Sequence, residues 1–590
     1  MMFQQCIREA AMTRRGPCAW SCGRAVLLFT ALLVALRAAD AADAGRDAAV
    51  FRRSLDRFAS LDPAQAASVY ASRAVGLVYE TLVEYDYAAR PYRLIPGLAE
   101  ALPEVTGEGR VYTFRLVTNA WFHADACFGR GADGAPRRRQ VSAADVVFSL
   151  ARLADAKLAS SGAWLVKDQI LGMRAFAEAS AGSTPTDYSL PIDGLRALDD
   201  RTVRIELVRP SPEFVWTMAM AYAAIVPREA VLAYGSDFGG CSVGSAAYRL
   251  ASWRRNYEMV FERVSDWRGW TGTQGRPFDR ICYRVMDDVS TQWLSFLAGE
   301  LDFLGEIARD NWDAVIEQGG MLAPALVARG VRLHSMATLE VAYVAFNFDD
   351  PVVGPNPALR RALNCAFDGA RWEAFYNGRV VRADGAVPPQ VAGYLDAPFP
   401  WAFDLERARA LLAEAGYPGG IDPATGRRLA LTLDLGRTTQ DVRETTELMC
   451  AFFERIGIDL QPRYQNWPAF LQRVSRRETQ MFRIGWVGDY PDALNFLQLF
   501  YGPNQSPGPN RCNFRDAAFD ALYDTAARTT DEVSRLELYR QMQAIIRDAC
   551  PWIFVHFPRA YSLCGPRVGH YIPHDFPYGM EKYLRVDPGR

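Results

Sequence analysis

The sequence predicts an α/β fold, because strand-like and helix-like segments alternate in its C-terminal third. In chain order they are a strand at 429–436, a helix at 439–457, a strand at 458–465, a helix at 467–478 and a strand at 481–488. The strand segments are short and apolar, whereas the helix segments repeat their apolar residues at helical spacing. This alternation is typical of βαβ units and of a mostly parallel sheet.

Other segments of the chain fit the same class. Ser142 is placed to cap a helix whose apolar stripe includes Val146 and Leu150, and the run 199–207 alternates apolar and polar residues as a strand does. Asp404 is placed to begin a helix, and the glycine and proline that follow residue 415 are placed to end it. Near the C-terminus, the apolar run PWIFVHF predicts a short strand.

The N-terminus predicts export. Several arginines precede the apolar run from Ala25 to Leu36, and the small-residue segment RAADAADA follows it. This order is that of a cleavable signal peptide, which we assign to residues 1–44, and the apolar run is shorter than a membrane span. We therefore expect an exported protein.

Composition excludes several function classes. The formal net charge of −2 over 590 residues gives no field that would recruit nucleic acid. The chain has no HExxH, Walker, GxSxG or GxGxxG motif, and its five histidines are scattered. We expect no enzymatic activity, no catalytic residue, no metal site and no cofactor.

Eight of the 11 cysteines lie after the leader. In an oxidising compartment an even set permits disulfides, although the sequence does not give their pairing. Cys365 and Cys450 lie on apolar helical faces, where we expect buried thiols.

Two opposite charges follow strands of the predicted parallel sheet. Arg437 comes directly after strand 429–436, and Asp489 after strand 481–488. Because the carboxyl ends of parallel strands share one edge, where ligands bind, the two charges could meet a zwitterionic ligand. Aromatic residues such as Trp467 and Trp486 suit the walls of such a site, although core packing is the more common role of any one tryptophan.

A series of motifs, in order along the chain, carries a resemblance to a known family. They include SLDPAQA, VYETLVEYD, RLIPGLAEALPEV, VYTFRLVTNAWFHADA, GLRALDDRTVRIEL, LAGELDF, NPALRRALNCAFD, LLAEAGYPGG, GWVGDYPDALNF and FDALYDTA. The chain resembles the periplasmic substrate-binding proteins of peptide and nickel ABC importers, the family 5 solute-binding proteins, from about residue 50 onward.

This resemblance implies a bilobed clamshell of the periplasmic-binding-protein kind (type II-like, cluster C) with an extra inserted subdomain. Lobe I would comprise residues 45–85, 196–290 and 555–590, the inserted subdomain residues 86–195, and lobe II residues 291–554. A di- or oligopeptide would bind between the lobes of a monomer, which would then dock on an ABC permease of the inner membrane.

The resemblance also implies ligand contacts. Asp489 matches the aspartate that pairs with the α-amino group of a peptide, and the strand backbone at Gly485, Trp486 and Val487 would bind the peptide main chain. Arg437 and Arg483 both match arginines that take the ligand carboxylate, so ligand length stays open. Trp467 and His556 would lie near the pocket. A turn role for Asp489, and surface roles for the arginines, are the alternatives.

Departures from the family leave other functions open. The segment GSAAY at 244–248 replaces the usual GTGPY, and Cys512 has lost the disulfide partner expected near Tyr501. The same fold could bind a non-peptide solute, namely a metal chelate, an opine or an oligosaccharide. A secreted hydrolase that reuses the lobes is the alternative from another class.

Overall fold

The computed structural model describes residues 48–271, 274–307, 311–317, 320–576 and 578–587. The predicted signal peptide at 1–44 lies outside this part. The strands are Val50–Leu55 (β1), Val83–Tyr85 (β2), Leu94–Pro96 (β3), Glu104–Thr106 (β4), Val111–Arg115 (β5), Asp125–Arg130 (β6), Pro136–Arg137 (β7), Leu195–Ala197 (β8), Thr202–Glu206 (β9), Tyr248–Arg254 (β10), Glu258–Arg263 (β11), Arg280–Val285 (β12), Phe303–Leu304 (β13), Arg332–Ala337 (β14), Glu340–Phe346 (β15), Val380–Arg382 (β16), Ile421–Asp422 (β17), Arg427–Arg428 (β18), Ala430–Leu435 (β19), Asp459–Tyr464 (β20), Met481–Val487 (β21), Trp552–Cys564 (β22), Val568–Gly569 (β23) and Arg585–Val586 (β24).

The α-helices alternate with these strands or lie in the loops between them. They are Val69–Val78 (α1), Ala143–Ala154 (α2), Met173–Gly182 (α3), Phe214–Thr217 (α4), Arg228–Tyr234 (α5), Val289–Leu297 (α6), Trp312–Val315 (α7), Pro324–Ala328 (α8), Pro357–Ala366 (α9), Gly369–Phe375 (α10), Leu405–Glu414 (α11), Gln440–Glu454 (α12), Trp467–Ser475 (α13), Leu494–Leu497 (α14), Ala517–Ala526 (α15) and Glu532–Ala549 (α16).

One mixed sheet forms the frame of the molecule. Its strand order is β10-β11-β12-β1-β13-β22-β15-β21-β19-β20, and β14 and β16 also pair with β22. The predicted βαβ region is confirmed, since β19 pairs in parallel with both β20 and β21. The prediction of a mostly parallel sheet does not extend beyond this region, because β15 lies antiparallel to β21 and β22. Strand direction across such distant pairs is set by tertiary contacts, which the local pattern does not contain.

A pair of neighbouring segments links the two halves of this sheet. The predicted short strand near the C-terminus is in fact a long strand, β22, which pairs with β15 at one end and with β13 and β14 at the other. Beside it, the chain passes from β14 into β15 through Thr338, whose N–H donates to the Pro558 carbonyl at 2.8 Å. These two segments run side by side between the halves of the sheet, and such segments can act as the hinge about which two lobes move.

The site is supported by the core around β19. Leu431, Leu433 and Leu435 of this strand are buried in one apolar cluster with Met449 and Phe452 of α12. These side chains alternate along the strand and recur at helical spacing along the helix, which is why the sequence pattern located both elements. The packed layer fixes the end of β19, and therefore the residues that follow it.

The helix caps that the sequence predicts at Ser142 and Asp404 are present in the structure. Ser142 and Asp145 form a capping box at the start of α2, and Asp404 accepts a hydrogen bond from the Arg407 N–H at 3.0 Å at the start of α11. The antiparallel sheet β4-β5-β9-β8 is separate from the main sheet and includes the strand predicted at 199–207.

The eight cysteines after the leader are unpaired thiols in the described part of the chain. Cys365 is buried as predicted, Cys450 is partly buried, and the Cys512 thiol lies 3.2 Å from Asn510 Oδ1. Among the described residues, no helix combines the length and the apolar character that crossing a membrane requires.

Candidate functional site

Arg437 and Asp489 lie at one edge of the main sheet. The ladder between β19 and β21 is parallel, with Leu433 opposite Met481 and Leu435 opposite Arg483. Each charged residue follows the carboxyl end of its own strand, and both are exposed to solvent. The structure therefore brings the two predicted charges to the same edge, where an α/β sheet offers space for a ligand.

The carboxylate of Asp489 is held by a residue that the sequence reasoning missed, Asn495. The Asp489 N–H donates to Asn495 Oδ1 at 3.1 Å, and Asn495 Nδ2 donates to Asp489 Oδ2 at 3.2 Å. Trp486 Nε1 donates to the same amide oxygen at 3.1 Å. Asn495 itself is 1% exposed, so it links the end of β21 to the start of α14 from inside the protein. An asparagine within the apolar run ALNFL was the signal that could have pointed to it.

The surroundings of Asp489 favour a cationic partner. Desolvation by the protein around it raises the pKa of its carboxyl above the ordinary value, and the Asn495 hydrogen bond acts in the opposite direction. Among the described residues, no cation pairs with this carboxylate. A desolvated carboxylate gains most from an ammonium or guanidinium group that approaches from the open side.

Arg437 is similarly without a partner. Within the described ranges, no hydrogen bond or ion pair joins its guanidinium to another residue, and its charge acts on Glu340, where desolvation raises the carboxyl pKa and Arg437 lowers it. Trp467 packs over the preceding Gly436, since a Cβ at that position would lie 2.7 Å from Trp467 Cε3. Trp467 is 46% exposed, so an aromatic face borders the arginine at this edge.

Arg483, by contrast, is engaged inside the protein. Its Nη1 donates to Thr445 Oγ1 at 2.8 Å, its guanidinium carbon lies 5.4 Å from the Trp372 ring centre, and Nη2 is 3.5 Å from the Tyr376 hydroxyl. His556 belongs to the same cluster, where its Nδ1 accepts a hydrogen bond from Trp372 Nε1 at 3.1 Å. Burial, and then the charge of Arg483, lower the His556 pKa to about 3. His556 is therefore a neutral, buried imidazole.

The backbone from Gly485 to Val487 has a free edge. The ladder with β19 stops at Arg483, whereas the ladder with β15 continues until Val487 lies opposite Glu340. Gly485 is exposed, and a Cβ there would lie 2.9 Å from Glu340 Oε1. Val487 is 65% exposed. An extended ligand could pair with this part of β21 as an added strand.

Comparisons with known proteins agree on one family. The family model described as "Bacterial extracellular solute-binding proteins, family 5 Middle" matches residues 93–508. Heme-binding protein A of Haemophilus influenzae is 27% identical over 86% of this chain and 87% of its own, and the Dipeptide-binding protein of Escherichia coli is 25% identical over 84% and 86%. The solved structure of HbpA2 from Haemophilus parasuis, 25% identical, superimposes with a TM-score of 0.77 over 91% of this chain and 100% of that one.

The matched range covers most of the chain, and the superposition includes both halves of the main sheet. The predicted bilobed clamshell is thereby confirmed. The chain belongs to the family 5 bacterial extracellular solute-binding proteins.

Proposed function

We propose that this protein is the solute-binding component of an ABC importer, and that it captures short peptides between its lobes for delivery to a membrane permease. The observation that carries the proposal is the geometry of one sheet edge. Asp489, the free backbone of β21 and Arg437 lie there together, and among the described residues no ion pair engages either charge and no strand pairs with that side of β21.

Asp489 would bind the α-ammonium group of the peptide. Its carboxylate is fixed by Asn495 before the ligand arrives, so little ordering is needed on binding. A charge-assisted hydrogen bond contributes about 1.5–3 kcal/mol. A micromolar ligand corresponds to about −8 kcal/mol, so this contact could decide whether binding is detectable.

Arg437 would bind the terminal carboxylate. Its guanidinium is exposed and without a protein partner, whereas Arg483 already donates to Thr445 and lies against Trp372. Arg483 could bind the ligand carboxylate only after its contacts with Thr445 and Trp372 were broken. We therefore assign Arg437 to the ligand, and we assign Arg483 and His556 to the support of the sheet beneath it.

The peptide main chain would add to β21 between these two charges. Gly485 is exposed, with the Glu340 carboxylate lying against it, and Trp467 provides an aromatic wall beside Arg437. Main-chain pairing is independent of side-chain identity, which suits a receptor of broad peptide specificity.

The lobes would close about Thr338 and the neighbouring part of β22. On the basis of the sheet order we place the boundary between lobe I and lobe II near residue 338. Strand β13 pairs with β1, and β13 and β14 both pair with the C-terminal part of β22. This boundary lies later in the chain than the predicted one at 291.

Peptide-binding relatives support the substrate class and the location. The E. coli relative is named Dipeptide-binding protein, and a relative in Pseudomonas aeruginosa is named Di/tripeptide-binding protein 1. We propose a periplasmic location after removal of the signal peptide, a monomeric state and an inner-membrane ABC permease as partner. The names of these relatives do not favour a hydrolase or an opine or sugar receptor, whereas the Haemophilus influenzae relative is named Heme-binding protein A, which keeps a metal chelate as the second candidate ligand.

Native mass spectrometry of protein purified from its host tests the proposal. Retained di- or tripeptides that are lost in the variant Asp489→Asn, but kept in the exposed control Glu406→Gln, would support it. A retained sugar or metal chelate, or retention that does not depend on Asp489, would contradict it.

A further inference from the structure

A cavity of about 260 Å³ lies beside the part of the main sheet formed by β1, β13 and β14. Helix α1, strand β1 and the C-terminal residues 571–575 and 580–584 line it. A second cavity of about 440 Å³ adjoins it, and Arg53, Val69, Arg73 and Gly305 line both. Arg73 therefore stands where the two cavities meet.

Two arginines and one buried glutamate meet at this junction. Arg53 Nη1 lies 3.3 Å from Glu581 Oε1, and the Tyr283 hydroxyl donates to the same oxygen at 2.7 Å. Glu581 is 3% exposed, so this group is an internal pair. Arg73 adds a second guanidinium to it, and none of the other carboxylates that line the two cavities (Asp56, Asp287, Glu306 and Asp575) forms an ion pair with Arg73 among the described residues.

Arg73 has no partner in the described part of the chain. No hydrogen bond or ion pair connects its guanidinium to another described residue, and its Nε is buried without an acceptor. Burial, followed by the charge of Arg53, lowers the Arg73 pKa to about 10, while Glu581 opposes this shift. A desolvated cation without a counter-ion is costly to keep, and an anion that entered the cavity would relieve the cost.

This position is connected to the ligand site through the C-terminal segment and Leu339. Gly76, on the same helix as Arg73, packs directly on the Tyr578–Gly579 backbone, where an added Cβ would lie 2.5 Å from the Gly579 nitrogen. Asp575, which lines the cavity, accepts the Leu339 N–H at 3.1 Å, and the Leu339 carbonyl accepts the N–H of Gly488, the residue before Asp489, at 2.7 Å. Two hydrogen bonds therefore join the cavity beside Arg73 to the strand end that carries Asp489.

We propose that Arg73 is an anion-binding residue of the ligand site, and that it takes the side-chain carboxylate of an acidic peptide held by Asp489 and Arg437. The inference rests on the proposed function and specifies its substrate class. A guanidinium and a carboxylate can form two parallel hydrogen bonds, and this contact would join the two lobes through the ligand. Arg53 already forms an ion pair with Glu581, so we assign it a positioning role and no contact with the ligand.

Calorimetry with two near-isosteric probes, L-alanyl-L-glutamate and L-alanyl-L-glutamine, tests this proposal on the full mature chain. We expect wild type to prefer the glutamate peptide by about tenfold or more. Arg73→Gln should remove this preference, Arg73→Lys should keep part of it, and the exposed control Arg196→Gln should keep all of it.

The outcomes separate the inference from the function on which it rests. Equal preference for the acidic peptide in wild type and Arg73→Gln, or no preference in wild type, would overturn the inference while peptide binding stands. If neither dipeptide binds to wild type, both the peptide function and the inference fail.

Thermal unfolding without ligand distinguishes a ligand role from a structural one. Since Arg73 has no protein partner, Arg73→Gln should unfold at the wild-type Tm or above it. Arg53→Gln should unfold at a lower temperature, because it leaves Glu581 unpaired. A Tm that falls in Arg73→Gln as much as in Arg53→Gln would assign Arg73 to the scaffold and overturn the proposal.

Discussion

Asp489 and Asn495 exchange two hydrogen bonds. The backbone N–H of Asp489 donates to Asn495 Oδ1 at 3.1 Å, and Asn495 Nδ2 returns a bond of 3.2 Å to Asp489 Oδ2. The carboxylate is thus oriented by the protein while one side of it faces the open edge of the sheet. Orientation before binding lowers the entropy that a ligand contact must overcome.

Replacing Asn495 by alanine should weaken both folding and binding. The change leaves the Asp489 N–H and Trp486 Nε1 without their acceptor, and an unpaired buried donor costs about 1–3 kcal/mol. Urea unfolding should show a loss of that size, and calorimetry should show weaker peptide binding. The exposed control Gln461→Ala should change neither, and an Asn495→Ala protein with wild-type affinity would show that the orientation of Asp489 is irrelevant.

Substitution of the two candidate arginines should affect different properties of the protein, ligand affinity in one case and stability in the other. Arg437→Gln should weaken peptide binding by about tenfold or more at an unchanged Tm, because we assign this side chain to the ligand and no described protein group forms a hydrogen bond or ion pair with it. Arg483→Gln should instead lower the free energy of unfolding by about 1 kcal/mol through loss of the Thr445 hydrogen bond. Calorimetry and urea unfolding of both variants measure this, and the reverse pattern would move the carboxylate contact to Arg483.

Gly436→Ala should displace the aromatic wall beside Arg437. The new Cβ would lie 2.7 Å from Trp467 Cε3 and 2.8 Å from Phe470 Cδ1, and Phe470 is buried. Overpacking of this kind costs about 1–3 kcal/mol. Chemical unfolding should show the loss, together with a shift in tryptophan emission. Gly182→Ala, where a Cβ meets nothing within 4 Å, is the matched control, and equal stability of both variants would contradict the close packing.

The local part of this site was predictable from the sequence, and the part made by distant segments was not. Strands β19 and β21 and the charges after them follow from apolar patterning, which acts over a few residues. Glu340 faces Gly485 only because β15 pairs antiparallel with β21, and Gly76 packs on the Tyr578–Gly579 backbone only because the C-terminal segment returns to α1. The free thiols are a similar case, since pairing depends on distances that spacing along the chain does not give.

Acid should destabilise the protein partly through His556. Its folded pKa of about 3 lies below the ordinary value of 6.5, so the unfolded chain binds the extra proton between these two pH values. The contribution of His556 to the free energy of unfolding is therefore fully present above pH 6.5 and is lost as the pH falls toward 3. The free energy of unfolding changes by up to about 1.4 kcal/mol per pH unit in this range.

The variant His556→Gln isolates this contribution, because glutamine can accept the Trp372 hydrogen bond without titrating. Urea unfolding between pH 7 and about pH 4 should give a weaker pH dependence in the variant than in wild type. Identical pH dependence in the two proteins would mean that His556 does not titrate on unfolding in this range.

The central claim, that Asp489 binds the α-ammonium group of a peptide, is tested most directly by calorimetry in a double-mutant cycle. L-alanyl-L-alanine and its N-acetyl form are titrated into wild type and Asp489→Asn. Acetylation should weaken binding to wild type by about tenfold or more and should have little further effect on the variant, because the partner is already absent. An equal loss on acetylation in both proteins would place the ammonium elsewhere and contradict the account.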